Sequence, residues 1–169
     1  MKPDKTVLIT GASSGLGLEF AKIFARKKCD LVLVARSEGK LYALKNRFEE
    51  EYGITVHVCS VDLSTTDAAL DVYDYTLEKG LTIDVLVNNA GFGDAGPFAN
   101  SDWQKQYEMI QVNLVALMQL THCFLKPMIE CGHGKILNLS SVAAFCAGPD
   151  MSVYYASKAF VRSFSEALA

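Results

Sequence analysis

Tyr154 and Lys158 lie four residues apart in a segment with helical periodicity. Residues at this spacing share one face of a helix, so the lysine ammonium would lie beside the phenol. A nearby positive charge favours the phenolate and lowers the pKa of a tyrosine, which then exchanges protons near neutral pH. Tyr155 is a competing candidate, but the residue four positions after it is Ala159. The pair predicts a general acid/base, although the same spacing occurs by chance in many helices.

A serine pair follows an apolar run at residues 135–139. If this run is a strand, Ser141 lies just after its carboxyl end and can hydrogen-bond a substrate oxygen. Ordinary loop polarity is the alternative explanation for Ser140 and Ser141.

A glycine-rich turn, Thr-Gly-Ala-Ser-Ser-Gly-Leu-Gly at residues 10–17, separates the first apolar run from the first helical segment. Glycines let the backbone bend sharply and approach a ligand without an intervening side chain. The exposed amides at a helix N-terminus favour a pyrophosphate, because the helix dipole adds to their partial charge. Such a turn can also simply pack a strand against a helix, but its position between the two elements predicts a dinucleotide site.

The second apolar run ends at Ala35 and Arg36, where a dinucleotide site for NAD would have an acidic residue. A guanidinium at this point favours the 2'-phosphate of NADP, with help from the hydroxyls of Ser13 or Ser14. The alternative is that Arg36 only solvates a loop. Asp62 follows the third run and either accepts from the adenine amino group or caps the next helix.

Five short apolar runs alternate with five segments of helical periodicity, and the residues above follow the ends of the runs. Unbroken apolar runs of this length are typical of strands buried on both faces of a parallel sheet. The sequence therefore predicts an α/β fold with a doubly wound parallel sheet, in which ligands bind at the carboxyl ends of the strands. The predicted strands are 6–10, 31–35, 54–59, 83–87 and 135–139, and the predicted helices follow the glycine turn or begin near residues 37, 66, 101 and 152. Ser101 and Gln104 form a capping-box pattern at the start of the fourth helix.

The composition is that of one globular domain over residues 1–169, since 50% of the 169 residues are hydrophobic and 21% are charged. The formal net charge is −3 and the signs are mixed, so we expect no nucleic-acid partner. No apolar run approaches the length of a membrane span, so we expect no membrane partner either. The five cysteines are scattered without a C-x-x-C pair, which indicates the reducing cytoplasm and argues against disulfides and a metal site.

The motifs occur in the order typical of short-chain dehydrogenases/reductases. They are Thr10-Gly11-x-x-x-Gly15-x-Gly17, Asn88-Asn89-Ala90-Gly91, Asn113, Ser141 and Tyr154-x-x-x-Lys158. The chain resembles the compact, NADP(H)-preferring subgroup of this family over essentially its whole length. The resemblance implies a Rossmann fold and an oxidoreductase that transfers a hydride between NADP(H) and a small-molecule carbonyl or alcohol. The alternatives are a non-catalytic dinucleotide-binding regulatory domain and an inactive fragment.

The resemblance also implies a role for each site residue. Tyr154 would be the general acid/base, Ser141 would polarise the carbonyl, and Lys158 would bind the nicotinamide ribose and tune Tyr154. Asn113 would hold a water in a proton relay, and Asn88 would help line the cofactor behind the fourth strand. The residues expected to bind the cofactor are Gly11, Ser13, Ser14, Gly15, Leu16, Gly17, Arg36, Asp62, Leu63, Asn89, Ala90, Gly91, Tyr154 and Lys158.

The family pattern continues beyond the helix that carries Tyr154 and Lys158, with further strands that this sequence does not contain. We therefore expect five strands, an unpaired sheet edge beside the fifth one, and a chain that is a portion of a longer protein. A homodimer or homotetramer is expected through the helix from Ser101 and the last helix. The apolar residues expected to form that contact are Leu117, Leu120, Phe160 and Phe164. Trp103 is expected to be a packing anchor.

Overall fold

The computed structural model of the protein describes residues 5–169 and contains one sheet of five parallel strands. The strands are Thr6–Thr10 (β1), Asp30–Ala35 (β2), Val56–Ser60 (β3), Val85–Asn88 (β4) and Lys135–Asn138 (β5). The helices are Gly15–Arg26 (α1), Glu38–Tyr52 (α2), Ala68–Glu78 (α3), Trp103–Ile110 (α4), Leu117–Glu130 (α5) and Ser152–Leu168 (α6). The strands lie in the order β3-β2-β1-β4-β5, which confirms the predicted Rossmann architecture.

The predicted fourth helix is interrupted by a π-helical segment. Residues Gln111–Ala116 have this wider winding, and they separate α4 from α5 in one continuous helical rod. The expected cap at Ser101 is wrong, because Asp102 is the N-cap of α4 and its Oδ1 accepts from Gln104 N at 2.9 Å. Trp103 is 70% exposed, so the expected packing anchor is wrong as well.

The helical rod over residues 103–130 is long and apolar enough to cross a membrane by length and composition, contrary to the sequence expectation. A core helix meets the same criterion, and Leu120 and Phe124 are almost completely buried in the core beside the sheet. Leu117 is buried as well, with 4% of its surface exposed. Leu117 and Leu120 therefore cannot form the expected contact between subunits, because the fold itself already buries both side chains.

Two apolar cores bury the two faces of the sheet. One core contains Leu8, Val32 and Leu86 and extends to α3 and α5, and the other contains Val7, Ile9 and Leu33 and extends to α1 and α2. Adjacent residues of one strand thus enter opposite cores, which explains the unbroken apolar runs in the sequence.

The order of the strands reverses between β1 and β4, which pair directly with each other. Their register places Ile9 opposite Val87, so the glycine turn after β1 lies beside the loop after β4. In doubly wound sheets, the ligand crevice opens at this point, outside the carboxyl ends of the strands. A separate groove of about 500 Å³ lies along β5, but none of its lining residues is a predicted site residue.

Candidate active site

Thr10, the last residue of β1, joins the glycine turn to the loop after β4. Its buried Oγ1 accepts from the backbone N–H groups of Asn89 at 3.0 Å and Ala90 at 2.9 Å. In return, Asn89 Nδ2 donates to the carbonyl oxygens of Thr10 at 2.8 Å and Gly11 at 3.4 Å. The Asn89 amide nitrogen is thus used to hold the turn, and the two loops form one unit.

The three glycines of the turn have different surroundings. A Cβ on Gly17 would lie 2.2 Å from the Gly11 carbonyl oxygen, and a Cβ on Gly11 would lie 2.8 Å from Asn89 Nδ2. These two glycines are therefore required by the contact between the turn, α1 and the β4 loop. Gly15 is exposed with a φ of +54°, and apart from its chain neighbours and the backbone of α1 no described atom lies within 4 Å of its Cβ position. Because Ser14 makes no side-chain cap hydrogen bond, this open start of α1 suits a phosphate group.

Arg36 and Asp62 lie at the carboxyl ends of neighbouring strands, β2 and β3. The guanidinium is 73% exposed, and its Nη1 lies 3.8 Å from Asp62 Oδ2. Asp62 Oδ1 accepts from the backbone N–H and the hydroxyl of Ser64. Burial raises the pKa of Asp62, but the Ser64 hydrogen bonds and the Arg36 charge together bring it below its ordinary value. Asp62 therefore caps the turn after β3, whereas the N-cap of α3 is Asp67.

Two residues expected near the cofactor have their side chains in the core. Leu63 is 7% exposed and packs in the α3 and α5 core, so only its backbone can face the crevice. Asn88 is buried, and its Nδ2 donates to Thr121 Oγ1 at 3.1 Å and Asn138 Oδ1 at 2.9 Å. The expectation that the Asn88 side chain lines the cofactor is therefore wrong.

Lys158 is buried between the loop after β4 and the end of β5. Its Nζ donates to the carbonyl oxygen of Leu139 at 2.8 Å and lies 5.9 Å from the centre of the Tyr154 ring. A Cβ on Gly91 would be 3.4 Å from this nitrogen, so the glycine leaves room beside it. Burial lowers the pKa of Lys158 below its ordinary value. An ammonium has three N–H donors, and Leu139 uses one of them.

Asn113 lies in the π-helical segment and is 1% exposed. Its Oδ1 accepts from Phe92 N at 3.0 Å, while its Nδ2 donates to Phe92 O at 2.9 Å and to Ser157 Oγ at 3.1 Å. Both N–H groups of the Asn113 side-chain amide are therefore used. A water at this residue would have to donate to one of the Asn113 oxygens. The side chain clamps the loop after β4 to α6. π-Helical segments occur frequently at functional sites.

Tyr154 lies on the first turn of α6, against the loop after β4. A Cβ on Gly93 would be 3.0 Å from its Cδ2, so this glycine allows the loop to approach the ring. Tyr155 packs elsewhere, because a Cβ on Gly148 would lie 2.4 Å from its ring. The two tyrosines, with ring centres 6.2 Å apart, thus face different loops, and Lys158 lies over the ring of Tyr154.

Ser141 follows β5 and begins the 3-10 turn Val142–Phe145. Its Oγ accepts from Ala143 N at 3.1 Å, which leaves the hydroxyl proton available for another acceptor. The neighbouring Ser140 donates to the carbonyl oxygen of Lys158 at 2.9 Å and so ties the end of β5 to α6.

The structure thus brings Asn113, Tyr154 and Lys158 around one loop, 91–93, and places Ser141 at the strand end tied to α6. The loop after β4 lies against the buried ammonium at Gly91 and is joined to the glycine turn through Asn89. It thereby connects the phenol and the ammonium with the open start of α1, which is an arrangement suited to a dinucleotide and to proton transfer. A profile of the short chain dehydrogenase family matches residues 5–169. The chain belongs to this family.

Relatives and solved structures agree with this assignment. The chain is 35% identical to a very-long-chain 3-oxoacyl-CoA reductase from Anas platyrhynchos, over 95% of the chain and 53% of that protein. It is 38% identical to a short-chain dehydrogenase from Sphingobium yanoikuyae in complex with NADPH, covering 97% of the chain and 64% of that structure with a TM-score of 0.91. A bulky-bulky ketone specific alcohol dehydrogenase from Comamonas testosteroni is 35% identical, with 97% and 65% covered and a TM-score of 0.91.

This short-chain dehydrogenase sequence spans about half the length of the very-long-chain 3-oxoacyl-CoA reductases that it matches. Two polar residues that had no predicted role hold its site together, namely Thr10 and Ser157. Thr10 was recognisable as a polar residue that ends a buried run. Nothing in the sequence distinguished Ser157, because its partner Asn113 is 44 residues away.

Proposed function

We propose that the protein is an NADP(H)-dependent oxidoreductase that interconverts a carbonyl and an alcohol in a small molecule. The observation that carries this proposal is the position of Tyr154 beside the buried Lys158. The loop after β4 connects this pair with the glycine turn, where the phosphate site is expected. The NADPH complex of the Sphingobium yanoikuyae enzyme supports the choice of cofactor.

The residues of the crevice fit a dinucleotide. The exposed start of α1 around Gly15 would hold the pyrophosphate, and Arg36 would pair with the 2'-phosphate. The Lys158 ammonium, with two donors left, would bind ribose hydroxyls. When bound, the nicotinamide supplies a hydride to the carbonyl carbon or removes one from the alcohol carbon.

The side chains of the protein would supply the proton that the carbonyl oxygen takes up. Hydride arrival at a carbonyl carbon builds negative charge on the oxygen, and a phenol at hydrogen-bond distance supplies a proton as that charge develops. Tyr154 would be this acid, and the free hydroxyl proton of Ser141 would stabilise the same oxygen. Lys158 would favour the phenolate left on Tyr154 through its positive charge.

The test compares Tyr154→Phe with Tyr155→Phe in NADPH oxidation with a panel of aldehydes and ketones. Tyr154→Phe should lower kcat by about 100-fold or more, because a general acid is lost, and should leave NADPH affinity nearly unchanged. Tyr155→Phe should retain activity, because its ring packs on the loop around Gly148. A benign Tyr154→Phe would refute the assignment, and NADPH binding without turnover of any substrate would favour a regulatory dinucleotide-binding domain or an inactive fragment.

We further propose self-association through exposed aromatic residues on α4 and α6. Trp103 and Tyr107 lie one turn apart and are 70% and 45% exposed, and Phe160 is 36% exposed and stacks on Phe164. Sedimentation velocity at micromolar concentration should show a dimer or tetramer, and Phe160→Glu should shift it towards monomer. A wild-type monomer would contradict this proposal.

A further inference from the structure

Ser157 lies on α6 between Tyr154 and Lys158 and is 1% exposed. Its Oγ is 2.7 Å from the Tyr154 carbonyl oxygen and 3.1 Å from Asn113 Nδ2. A carbonyl oxygen only accepts, so the single hydroxyl proton goes to Tyr154 O and the serine oxygen accepts from Asn113. Both the direction of the hydroxyl and the orientation of the Asn113 amide are thereby determined.

We infer that Ser157 is a positioning residue that locks the Asn113 amide and so fixes the loop 91–93 against Tyr154 and Lys158. This inference rests on the proposed function, since it concerns the same site. Asn113 Nδ2 has two acceptors, Phe92 O and Ser157 Oγ, and its Oδ1 holds Phe92 N. Without Ser157, one N–H of a buried amide has no partner, and the amide is held by Phe92 alone.

The loop held in this way lies directly against the reacting groups. The Cβ position of Gly91 is 3.0 Å from Asn113 Oδ1 and 3.4 Å from Lys158 Nζ, and that of Gly93 is 3.0 Å from the Tyr154 ring. Gly91 thus faces both Asn113 Oδ1 and the Lys158 ammonium, so a reoriented Asn113 amide changes what the loop packs against beside the ammonium. The Ser157 hydroxyl bonds to the backbone carbonyl of Tyr154 and to Asn113, not to the phenol or the ammonium. Its effect on the loop beside those two groups passes through Asn113.

The same helix contains a matched control at Ser165. Its Oγ also donates to a carbonyl of its own helix, Val161 O at 2.7 Å, and also accepts from an asparagine amide, Asn138 Nδ2 at 3.0 Å. Ser165 lies two turns beyond Lys158 and borders the groove along β5. Ser165→Ala therefore removes the same two kinds of hydrogen bond without touching Asn113.

The experiment uses the full chain and compares Ser157→Ala with Ser165→Ala in steady-state kinetics and in NMR spectra of side-chain amides. Ser157→Ala should lower kcat on the order of 10- to 100-fold with little change in KM, because small displacements of reacting groups cost about this much. It should also shift the Asn113 side-chain amide signals, which are assigned by their disappearance in Asn113→Asp. Ser165→Ala should leave kcat and the Asn113 signals unchanged.

A double-mutant cycle tests whether Ser157 acts through Asn113. In an Asn113→Ala background, Ser157→Ala should cause no further loss of kcat, and an equal loss in both backgrounds would overturn the inference. Unchanged Asn113 signals in Ser157→Ala would overturn it as well. If the wild-type chain shows no turnover, the proposed function fails, and the Asn113 signals still decide whether Ser157 locks the amide.

Discussion

Arg36 is the residue on which the proposed choice of cofactor depends. Its guanidinium is exposed, and its ion pair with Asp62 is long at 3.8 Å. Exposed ion pairs of this kind contribute little free energy, since water already solvates both partners. A phosphate group with several oxygens can therefore replace Asp62 as the partner of Arg36 at small cost.

We expect Arg36→Ala to weaken NADPH binding by about 10-fold or more, the value of a charge-assisted contact, and to leave NADH binding nearly unchanged. Fluorescence titration of both nucleotides measures this change. Lys40→Ala removes another exposed positive charge, on α2, and serves as the control that should affect neither nucleotide. NADH binding as tight as NADPH binding in the wild type would refute the preference.

At the scale of elements, the crevice depends on how β1 is joined to the loop after β4. Neighbouring strands are held by their backbone ladder, but the ladder ends where the crevice begins. Beyond that point, Thr10 Oγ1 accepts from two backbone N–H groups of the β4 loop. One hydroxyl thus positions both the glycine turn and the loop that carries Gly91.

Thr10→Val keeps the shape of the side chain and removes the acceptor, so the Ala90 N–H loses its partner, whereas the Asn89 N–H keeps the carbonyl oxygen of Val87 at 3.0 Å. We expect a loss of unfolding free energy of about 1–3 kcal/mol for the unsatisfied donor, together with weaker NADPH binding. Thr10→Ser keeps the hydroxyl and loses one methyl group, so it should lower the unfolding free energy by about 1 kcal/mol. It should retain the cofactor affinity of the wild type. Urea unfolding and nucleotide titration measure the two effects, and equal affinities in both variants would contradict this role of Thr10.

For the molecule as a whole, the dependence of stability on pH includes a contribution from His57 on the edge strand β3. Burial lowers the pKa of His57 from its ordinary value of 6.5, and the charge of Lys45 lowers it further. As the pH falls below 6.5, the unfolded chain therefore takes up this proton before the folded protein does. The free energy of unfolding decreases through that window, and the decrease ends at the folded pKa.

Between pH 7.5 and pH 5.5, we expect the unfolding free energy of His57→Gln to decrease less than that of the wild type. The two decreases should differ by less than about 1.4 kcal/mol for each unit by which folding lowers the pKa of His57. Urea midpoints at several pH values measure the difference. His122→Gln changes an exposed histidine and should follow the wild type. A His57→Gln curve parallel to that of the wild type would show that His57 makes no contribution.

Much of this fold could be predicted from the sequence because its signals are local. The apolar runs at β1 and β2 marked parallel strands, since a strand buried on both faces has no polar side. β5 has an apolar run as well, although it is the edge strand of the sheet and its residues are exposed or half-buried. Parallel strands also bring the residues that follow them to one edge of the sheet, so the places of Gly15 and Ser141 followed from their positions in the chain.

Only the tertiary structure decided which side chains face the crevice and which face the core. Asn88 ends β4 and Leu63 lies shortly after β3, so both have positions in the chain like that of Ser141 after β5. Their side chains are nevertheless buried in the core. Leu117 and Leu120 have the pattern of an apolar helix face, but whether the sheet or a second subunit covers such a face depends on where the helix is docked. The hydrogen bond between Asn113 and Ser157 joins residues 44 positions apart in the chain. These two side chains come within hydrogen-bonding distance only when the π-helical segment packs against α6.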